Sequence, residues 1–244
     1  MRFGTREAAV SLVIPCLDEE ATIAAVVRLC LAQGVDEVVV VDGGSLDATM
    51  ARAVEAGARV VVEPRRGYGR AVAAGVGAVD SKAEIIVFMD GGGCDAPEFL
   101  PGVVGPVARD EADFVMGSRL RGKREKGSLR PQQIVAGHVA GFLLRWFYGA
   151  HFTDMSPFRA IRRDRLAGLC MAELSYGWNL EMQMRVAAAG MRILEIPVDH
   201  FRRKGGVSKV SGDWRAGIKA GLVIAATFLR LAYALRKAAR PPAR

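Results

Sequence analysis

The first half of the chain alternates short apolar runs of high β propensity with segments of helical composition. Five runs are candidate strands, at residues 11–15, 37–42, 59–62, 85–90 and 114–117. This alternation predicts an α/β fold in which a mostly parallel central sheet carries helices on both faces. The runs at 38–41 and 85–89 are apolar throughout, which is typical of central strands covered on both sides.

Acidic residues stand at the ends of the second and fourth runs, as Asp42 and Asp90. In open α/β sheets, ligands bind in the crevice beyond the carboxyl ends of the strands, so these carboxylates are expected at a binding site. The first run leads into Pro15, Asp18 and Glu19 in the same way. Alternatively, Asp18 caps the following helix, because helix N-termini favour acidic side chains.

The second run closes with the turn Asp42-Gly43-Gly44-Ser45. A carboxylate at this point can accept hydrogen bonds from the N–H groups of a nucleobase, and the glycines allow a ligand to approach the backbone. A tight strand-to-helix turn without a ligand is the alternative interpretation.

After residue 117 the alternation stops and the chain becomes strongly basic. Residues 119–130 hold one acid, Glu125, and six basic side chains: Arg119, Arg121, Lys123, Arg124, Lys126 and Arg130. A helix with a large apolar face is predicted directly afterwards, at 132–148. Arginines bind phosphate oxygens in a bidentate manner, so cations beside an apolar helix suit a lipid that carries phosphate. A solvated surface loop is the alternative.

The chain ends in a predicted helix at 214–237, after a further helix at about 180–189, a strand at 192–197 and a basic segment at 202–209. The longest charge-free run of the last helix, residues 220–229, is half of the roughly 20 apolar residues that a membrane span needs. We therefore expect an amphipathic helix at a membrane surface. This divides the chain into a catalytic domain at 1–212 and an attachment helix at 213–244.

The net charge of +8 favours partners that carry phosphate, such as nucleotides, nucleic acids or anionic lipids. Neither a base-stacking platform nor a groove-reading helix is evident, so we expect no nucleic acid. Residues 1–10 lack the apolar stretch of a secretory signal, which predicts a place in the cytoplasm or on the cytoplasmic face of the cell membrane.

Five motifs follow one another in a distinctive order. They are residues 15–19, Asp42-Gly43-Gly44-Ser45, Arg66-Gly67-Tyr68-Gly69-Arg70-Ala71, Asp90-Gly91-Gly92 and Gly117-Ser118-Arg119. This series resembles the family 2 glycosyltransferases, which have the Rossmann-like GT-A fold. It is most similar to the dolichyl- or polyprenyl-phosphate mannose and glucose synthases, over about residues 10–212.

The resemblance implies an inverting transfer of a sugar from a nucleoside diphosphate sugar, of the UDP-glucose or GDP-mannose type, to a polyprenyl phosphate at a membrane surface. It assigns the donor to ten residues: Pro15, Asp18, Glu19, Asp42, Gly69, Arg70, Asp90, Gly91, Arg202 and Lys209. By the same resemblance, Arg119 and Arg130 hold the acceptor phosphate, and Glu181 serves as a base or orients the acceptor. Residues 153–161 resemble an acceptor-side loop, in which Arg159 can pair with Asp154.

Two motifs depart from the family pattern. The second usually reads Asp-Asp-Gly-Ser, and the final acid of the metal-binding Asp-x-Asp motif is replaced here by Gly92. Mg²⁺ or Mn²⁺ held by Asp90 and Asp95 together with the substrate phosphates is the expected cofactor. Without a metal, fixed cations such as Arg65, Arg66 and Arg70 would have to stabilise the leaving diphosphate.

Two other functions remain open at this point. A sugar nucleotidyltransferase uses a related sheet, but it would need a glycine-rich loop directly after the first strand, and residues 15–20 contain no glycine. A nucleotide-sugar binder without catalytic activity is the second alternative, because Gly92 removes an acid from the metal motif.

Overall fold

The computed structural model describes residues 8–203 and 214–238, with side chains in the second segment at 222 and 224–235. Seven strands form one sheet: β1 Val10–Cys16, β2 Glu37–Asp42, β3 Arg59–Val62, β4 Ile85–Phe88, β5 Phe114–Ser118, β6 Arg159–Arg162 and β7 Ile193–Pro197. Their order is β3-β2-β1-β4-β6-β5-β7. Only β6 is antiparallel to its neighbours, β4 and β5, so the predicted mostly parallel sheet is confirmed.

Eight α-helices flank this sheet in the described residues, and a 3₁₀ turn at Pro97–Phe99 precedes the fourth. They are α1 Ile23–Ala32, α2 Thr49–Glu55, α3 Tyr68–Ala78, α4 Leu100–Ala108, α5 Pro131–Tyr148, α6 Arg163–Gly168, α7 Trp178–Ala188 and α8 Trp214–Ala238. No helix in the described part of the chain is both long enough and apolar enough to cross a membrane.

Two apolar cores lie on opposite faces of the sheet because successive side chains of a strand point in opposite directions. Leu12 and Val40 belong to the core that includes α1 and α4, whereas Val13 and Val41 face α3, α5 and α7. Gly75 brings α3 close to the second face: a Cβ at this position would lie 2.4 Å from Cγ1 of Val13.

The strand β6 overlaps the end of segment 153–161, which the sequence assigned to a loop. Its four residues include Arg159 and Arg162, so it lacks the apolar run that identifies the other central strands. Arg159 is nevertheless fully buried, and its guanidinium donates to the carbonyl oxygens of Ser156 and Asn179. Backbone acceptors, one near in the chain and one on the distant α7, therefore allow a charged side chain inside the sheet.

The terminal helix α8 packs against α5 and α7. Phe228 is fully buried, and its ring lies 5.2 Å from that of Phe147 and 6.2 Å from that of Tyr148. Arg230 pairs with Glu173 on the loop that precedes α7. One face of the predicted attachment helix thus belongs to the core of the fold, and the division at residue 212 remains a prediction.

The loop at residues 169–177 packs against the start of α3. The N–H of Gly69 donates to the carbonyl of Ser175 at 3.1 Å, and the N–H of Arg70 donates to that of Leu174 at 3.0 Å. A Cβ at Gly69 would lie 2.3 Å from the carbonyl oxygen of Glu173. Only glycine permits this approach, so residue 69 fixes the distance between the loop and α3.

Glu181, in the first turn of α7, binds the backbone of this loop. Its buried carboxylate accepts the N–H of Glu173 at 2.7 Å and that of Ala172 at 3.1 Å, and it pairs with Arg185 at 2.8 Å. Two backbone donors and one guanidinium share this carboxylate, and Glu181 therefore stabilises the loop.

We expect Glu181→Gln to lower the free energy of unfolding by about 1–3 kcal/mol, because the guanidinium of Arg185 loses its buried acceptor charge. Glu111→Gln is the matched control, since Glu111 forms an exposed ion pair with Arg109 and its loss should leave stability essentially unchanged. Urea unfolding followed by circular dichroism measures both. Equal effects of the two substitutions would contradict the role assigned to Glu181.

Candidate active site

A cavity of about 650 Å³ opens at the carboxyl edge of the sheet. Parallel strands end at this edge, so the loops that follow them contribute its walls. Seven residues predicted from the sequence line it: Pro15, Glu19, Asp90, Gly91, Asp95, Arg119 and Arg130. The alternative cations Arg65 and Arg66 line it as well, and Arg65 pairs with Glu63 on the same wall.

The acidic part of the cavity follows β4. The N–H of Asp90 donates to Oδ2 of Asp95 at 3.3 Å, and burial together with the negative charge of Asp90 raises the pKa of Asp95 to about 7. Burial also raises the pKa of Asp90, against the opposing effects of Arg119 and Arg203. Nearby, burial lowers the pKa of His200 to about 4, so its imidazole is neutral at pH 7. Added positive charge would therefore be favourable here.

The basic part of the cavity contains the buried side chain of Arg119. Its Nε and Nη2 atoms donate to the two carboxylate oxygens of Asp154, each at 2.8 Å, and its backbone N–H donates to Oδ2 at 3.0 Å. The expected pairing of Asp154 with Arg159 is wrong, because the carboxylate is occupied by Arg119. Asp154 thus holds a guanidinium at the cavity wall.

Arg130 immediately precedes α5, and both Arg130 and Gln133 line the cavity. The N–H of Arg130 donates to Oε1 of Gln133 at 2.9 Å, which ties the first turn of the helix to the residue before it. Pro131 has no N–H, and the N–H groups of Gln133 and Ile134 donate to the carbonyl of Arg130, so this helix N-terminus favours an anion through its dipole. This wall therefore combines a cationic side chain with the positive end of a helix.

A further guanidinium, that of Arg203, lies beside Gly92, where the motif that begins at Asp90 lacks its second acid. Arg203 forms an ion pair with the buried Glu19. A Cβ at Gly92 would lie 2.6 Å from Nη2 of Arg203 and 2.9 Å from its Nε. The guanidinium of Arg203 thus lies against position 92, and the basic segment at 202–209 was the signal in the sequence that could have revealed it.

The expected metal ligands, Asp90 and Asp95, both lie at the cavity wall. No three His, Cys, Asp or Glu side chains come together to hold an ion in the described ranges. Asp90 and Asp95 are close, but Gly92 supplies no carboxylate and the guanidinium of Arg203 lies against it. A divalent cation here would therefore be held by Asp90 and Asp95 together with the substrate phosphates, as the sequence predicted.

Asp42 is fully buried but does not line the cavity. Its Oδ2 accepts the N–H groups of Gly44 at 2.9 Å and Ser45 at 2.8 Å, and its Oδ1 accepts the hydroxyl of Ser45. The carboxylate closes its own turn, which is the alternative interpretation given above. Gly43, from the same turn, is the residue that reaches the cavity wall.

Asp18 is exposed and has a positive φ of 53°. Its Oδ1 accepts the N–H of Leu46 at 3.0 Å, and its own N–H donates to Ser45 at 2.9 Å. It does not cap α1, whose N-cap is Thr22. Asp18 therefore joins the loops after β1 and β2, and it does not line the cavity.

Three further predicted residues, Gly69, Arg70 and Glu181, do not line the cavity wall. Gly69 and Arg70 bind the 169–177 loop through their backbones, and Glu181 holds that loop through its carboxylate. Glu181 is thus not placed to act as a base. Tyr176, which the same loop carries, does line the cavity.

Two of the predicted donor-binding residues, Arg202 and Lys209, belong to the basic segment 202–209. Arg202 is exposed, its N–H donates to Glu125 at 2.7 Å and its guanidinium donates to the carbonyl of Lys126, so it covers the outside of the 119–130 loop. Lys209 lies outside the described residues.

Comparison with known proteins places these features in a family. Residues 11–168 match the sequence model described as Glycosyl transferase family 2. An uncharacterized glycosyltransferase of Mycobacterium tuberculosis is 38% identical over 211 residues, which cover 86% of this chain and 93% of that protein. A dodecaprenyl-phosphate galacturonate synthase of Rhizobium johnstonii is 28% identical, covering 95% of this chain and 68% of that protein.

Among solved structures, the fold is similar to glucosyl-3-phosphoglycerate synthase from Mycobacterium tuberculosis in complex with Mn²⁺, uridine diphosphate and glucosyl-3-phosphoglycerate. The TM-score is 0.70 at 26% identity, with 92% of this chain and 80% of that chain covered. The chain therefore belongs to glycosyl transferase family 2 and is a glycosyltransferase with the GT-A fold.

Proposed function

We propose that this glycosyltransferase moves a sugar, with inversion, from a nucleoside diphosphate sugar to the phosphate of a polyprenyl lipid at the cytoplasmic surface of a membrane. One observation carries the proposal: Arg119 and Arg130 line the same cavity as Pro15, Glu19 and Asp90. Two phosphate-bearing substrates can thus meet in one space. Its volume of about 650 Å³ lies within the range of ordinary ligand pockets.

The donor side of the cavity is formed by the loops after β1, β2 and β4. Pro15, Gly43 and Gly91 offer backbone and small side chains to a nucleoside, and Arg66 adds a cation from the loop after β3. The solved synthase that resembles this chain holds uridine diphosphate, which supports a nucleotide donor here.

The acceptor side is formed by Arg119, Arg130 and the first turn of α5. The ion pair with Asp154 uses two donors of the Arg119 guanidinium and fixes its plane, so little entropy is lost when a phosphate binds. Helix N-termini also bind phosphate readily. Together these groups can hold a phosphate beside the anomeric carbon of the donor sugar.

The chemistry needs little proton transfer. A phosphate monoester carries negative charge near neutral pH, so its oxygen attacks the anomeric carbon directly while the bond to the nucleoside diphosphate breaks on the opposite face. Positioning and stabilisation of the leaving diphosphate then dominate the rate. The burial of Glu181 away from the cavity agrees with a transfer that uses no carboxylate base.

A lipid acceptor is supported by an apolar stripe along α5, formed by Val135, Phe142 and Trp146. Phe142 is 65% exposed and Trp146 is 77% exposed, and their rings stack at 6.3 Å. Seven and four residues separate the three positions, so they share one face of the helix. Exposed aromatic patches of this kind mark contacts with membranes or other partners.

A second candidate acceptor is 3-phosphoglycerate. The specific observation in its favour is the similarity to glucosyl-3-phosphoglycerate synthase over 92% of this chain. A small phosphorylated acid would use the same arginines but would leave the apolar stripe of α5 without a role. Membership in family 2 excludes the sugar nucleotidyltransferase alternative, and turnover distinguishes catalysis from simple binding of the donor.

The direct test is turnover with a panel of radiolabelled nucleotide sugars, including UDP-glucose and GDP-mannose, with undecaprenyl phosphate in detergent or with 3-phosphoglycerate. We expect at least one donor to give an organic-soluble product, because the cavity joins cationic groups to an apolar helix. Transfer to 3-phosphoglycerate alone would contradict the lipid acceptor, and donor binding without transfer would contradict catalysis.

We expect Arg130→Ala to raise the KM for the lipid phosphate by about ten- to hundred-fold, since a hydrogen bond to a charged group is lost. The dissociation constant of the donor nucleotide should change by less than about threefold, as measured by calorimetry. Lys126→Ala is the matched control, because Lys126 is exposed on the same loop and does not line the cavity. Equal losses for donor and acceptor would be incompatible with the assignment.

We expect the double substitution Phe142→Ala and Trp146→Ala to weaken binding to anionic phospholipid vesicles by about tenfold or more, because two exposed aromatic side chains no longer enter the interface. Both are exposed, so the melting temperature should stay the same. Val54→Ala on α2 removes an exposed apolar side chain elsewhere and serves as the control. An unchanged vesicle-pelleting profile would refute the role of the stripe.

A further inference from the structure

The first residue of α3, Tyr68, lies in the wall of the cavity and has a glycine on each side. A Cβ at Gly67 would lie 2.4 Å from the carbonyl oxygen of Leu174, on the 169–177 loop that also contacts Gly69. Gly67 has a φ of 142°, a backbone conformation that favours glycine. The two glycines therefore serve packing, and the contact with the loop fixes the position of the tyrosine between them.

The hydroxyl of Tyr68 is buried although the residue lines the cavity. The carboxylate of Asp90 and the side chain of Asn179 both lie within hydrogen-bonding reach of it. Among the described residues, neither the hydroxyl oxygen nor Oδ1 of Asn179 makes a hydrogen bond of ordinary geometry. Buried polar groups in native proteins nearly always have partners, so two neighbouring groups without one require an explanation. Hydrogen bonds of active sites are often long without substrate and shorten when it binds.

The direction of these hydrogen bonds follows from the chemistry of the three groups. Burial and the negative charge of Asp90 raise the pKa of Tyr68 well above its usual value, so the hydroxyl keeps its proton. A carboxylate that holds a cation is ionised and only accepts, so the hydroxyl of Tyr68 donates to Asp90. The amide of Asn179 can in turn donate to the hydroxyl oxygen.

Asn179 is itself held in place, in the first turn of α7. Its carbonyl oxygen accepts Nη1 of the buried Arg159 at 3.1 Å, so the backbone of α7 is joined to β6 at this point. The side chain that faces Tyr68 thus belongs to a fixed part of the fold. Because the hydroxyl of Tyr68 is closed off from the open cavity, a substrate does not reach it directly.

We propose that Tyr68 is a positioning residue: its hydroxyl donates to the carboxylate of Asp90 and orients it toward the cation that it shares with the donor diphosphate. This inference rests on the proposed nucleotide-sugar donor. Partners that hydrogen-bond a metal ligand fix its orientation, and their loss typically costs about ten- to hundred-fold in metal affinity or activity. Tyr68 therefore acts on the donor through Asp90 and not by contact with the nucleotide.

The first experiment measures the binding of UDP and GDP to the full chain and to Tyr68→Phe by calorimetry, in MnCl₂ and in EDTA. We expect the nucleoside diphosphate that binds to be weakened by about tenfold or more in MnCl₂, and by less than about threefold in EDTA, because the hydroxyl acts through a metal ligand. The melting temperature should stay the same, since the substitution removes only a hydroxyl without a well-formed hydrogen bond.

Tyr233→Phe is the matched control, because Tyr233 is exposed on α8 and lies outside the cavity. It should bind the nucleotide as the parent chain does. Equal binding by Tyr68→Phe and the parent in MnCl₂ would overturn the inference and leave the proposed donor intact. Failure of the parent to bind either nucleotide in any condition would overturn both.

The second experiment repeats the comparison in an Asp90→Asn background. If Tyr68 acts through the carboxylate, adding Tyr68→Phe to Asp90→Asn should change nucleotide binding by less than about threefold in MnCl₂. Arg66 and the nucleoside wall remain in this background, so the weakened binding is measured at higher nucleotide concentration. A further loss as large as that in the parent chain would show that the two residues act independently and would contradict the assignment.

The third experiment distinguishes this role from binding of the sugar. We expect Tyr68→Phe to weaken UDP-glucose or GDP-mannose by the same factor as the corresponding nucleoside diphosphate, and to lower kcat by about tenfold or more. The KM for the acceptor should change by less than about threefold, because Arg119 and Arg130 are untouched. A loss confined to the nucleotide sugar would make Tyr68 a sugar-binding residue and would overturn the inference.

Discussion

The structure depends on the pairing of buried charges at one edge of the sheet. Carboxylates and guanidinium groups can stay in such a cavity only if each finds a partner of opposite sign, because removing an unpaired charge from water is unfavourable. Asp154 holds Arg119 and Glu19 holds Arg203. Each acid fixes one arginine in place while leaving its charge at the cavity wall, so these two cations are positioned before any substrate arrives.

The sequence predicted the elements that obey simple periodicity. Four of the five strands proposed for the first half agree with the structure within one residue at each end, and the fourth, proposed as 85–90, ends at Phe88. β6 was missed because a four-residue strand with two arginines carries no apolar pattern. Two tertiary contacts place it in the sheet. It pairs with β4 and β5, and the carbonyl of Asn179 accepts a hydrogen bond from Arg159. The position of such a strand is set by tertiary contacts, and a short stretch of sequence does not contain them.

At the site, sequence analysis has the same limit for the acidic residues. Asp42 and Asp90 both follow apolar strands, and the sequence gives no reason to treat them differently. The structure separates them because the turn after Asp42 aims the N–H groups of Gly44 and Ser45 at its carboxylate, whereas Asp90 lines the cavity. Backbone donors within the next three residues satisfy the carboxylate of Asp42. The carboxylate of Asp90 is left to a ligand or to cations.

The glycines of the sequence motifs are ambiguous in a similar way. Gly69 and Gly92 each stand where a neighbouring group fills the space of a Cβ: a carbonyl oxygen of Glu173 at one, the guanidinium of Arg203 at the other. A glycine in a sequence motif indicates only that a neighbouring group approaches the backbone closely. At Gly69 that approach is packing, whereas at Gly92 it places a positive charge in the cavity.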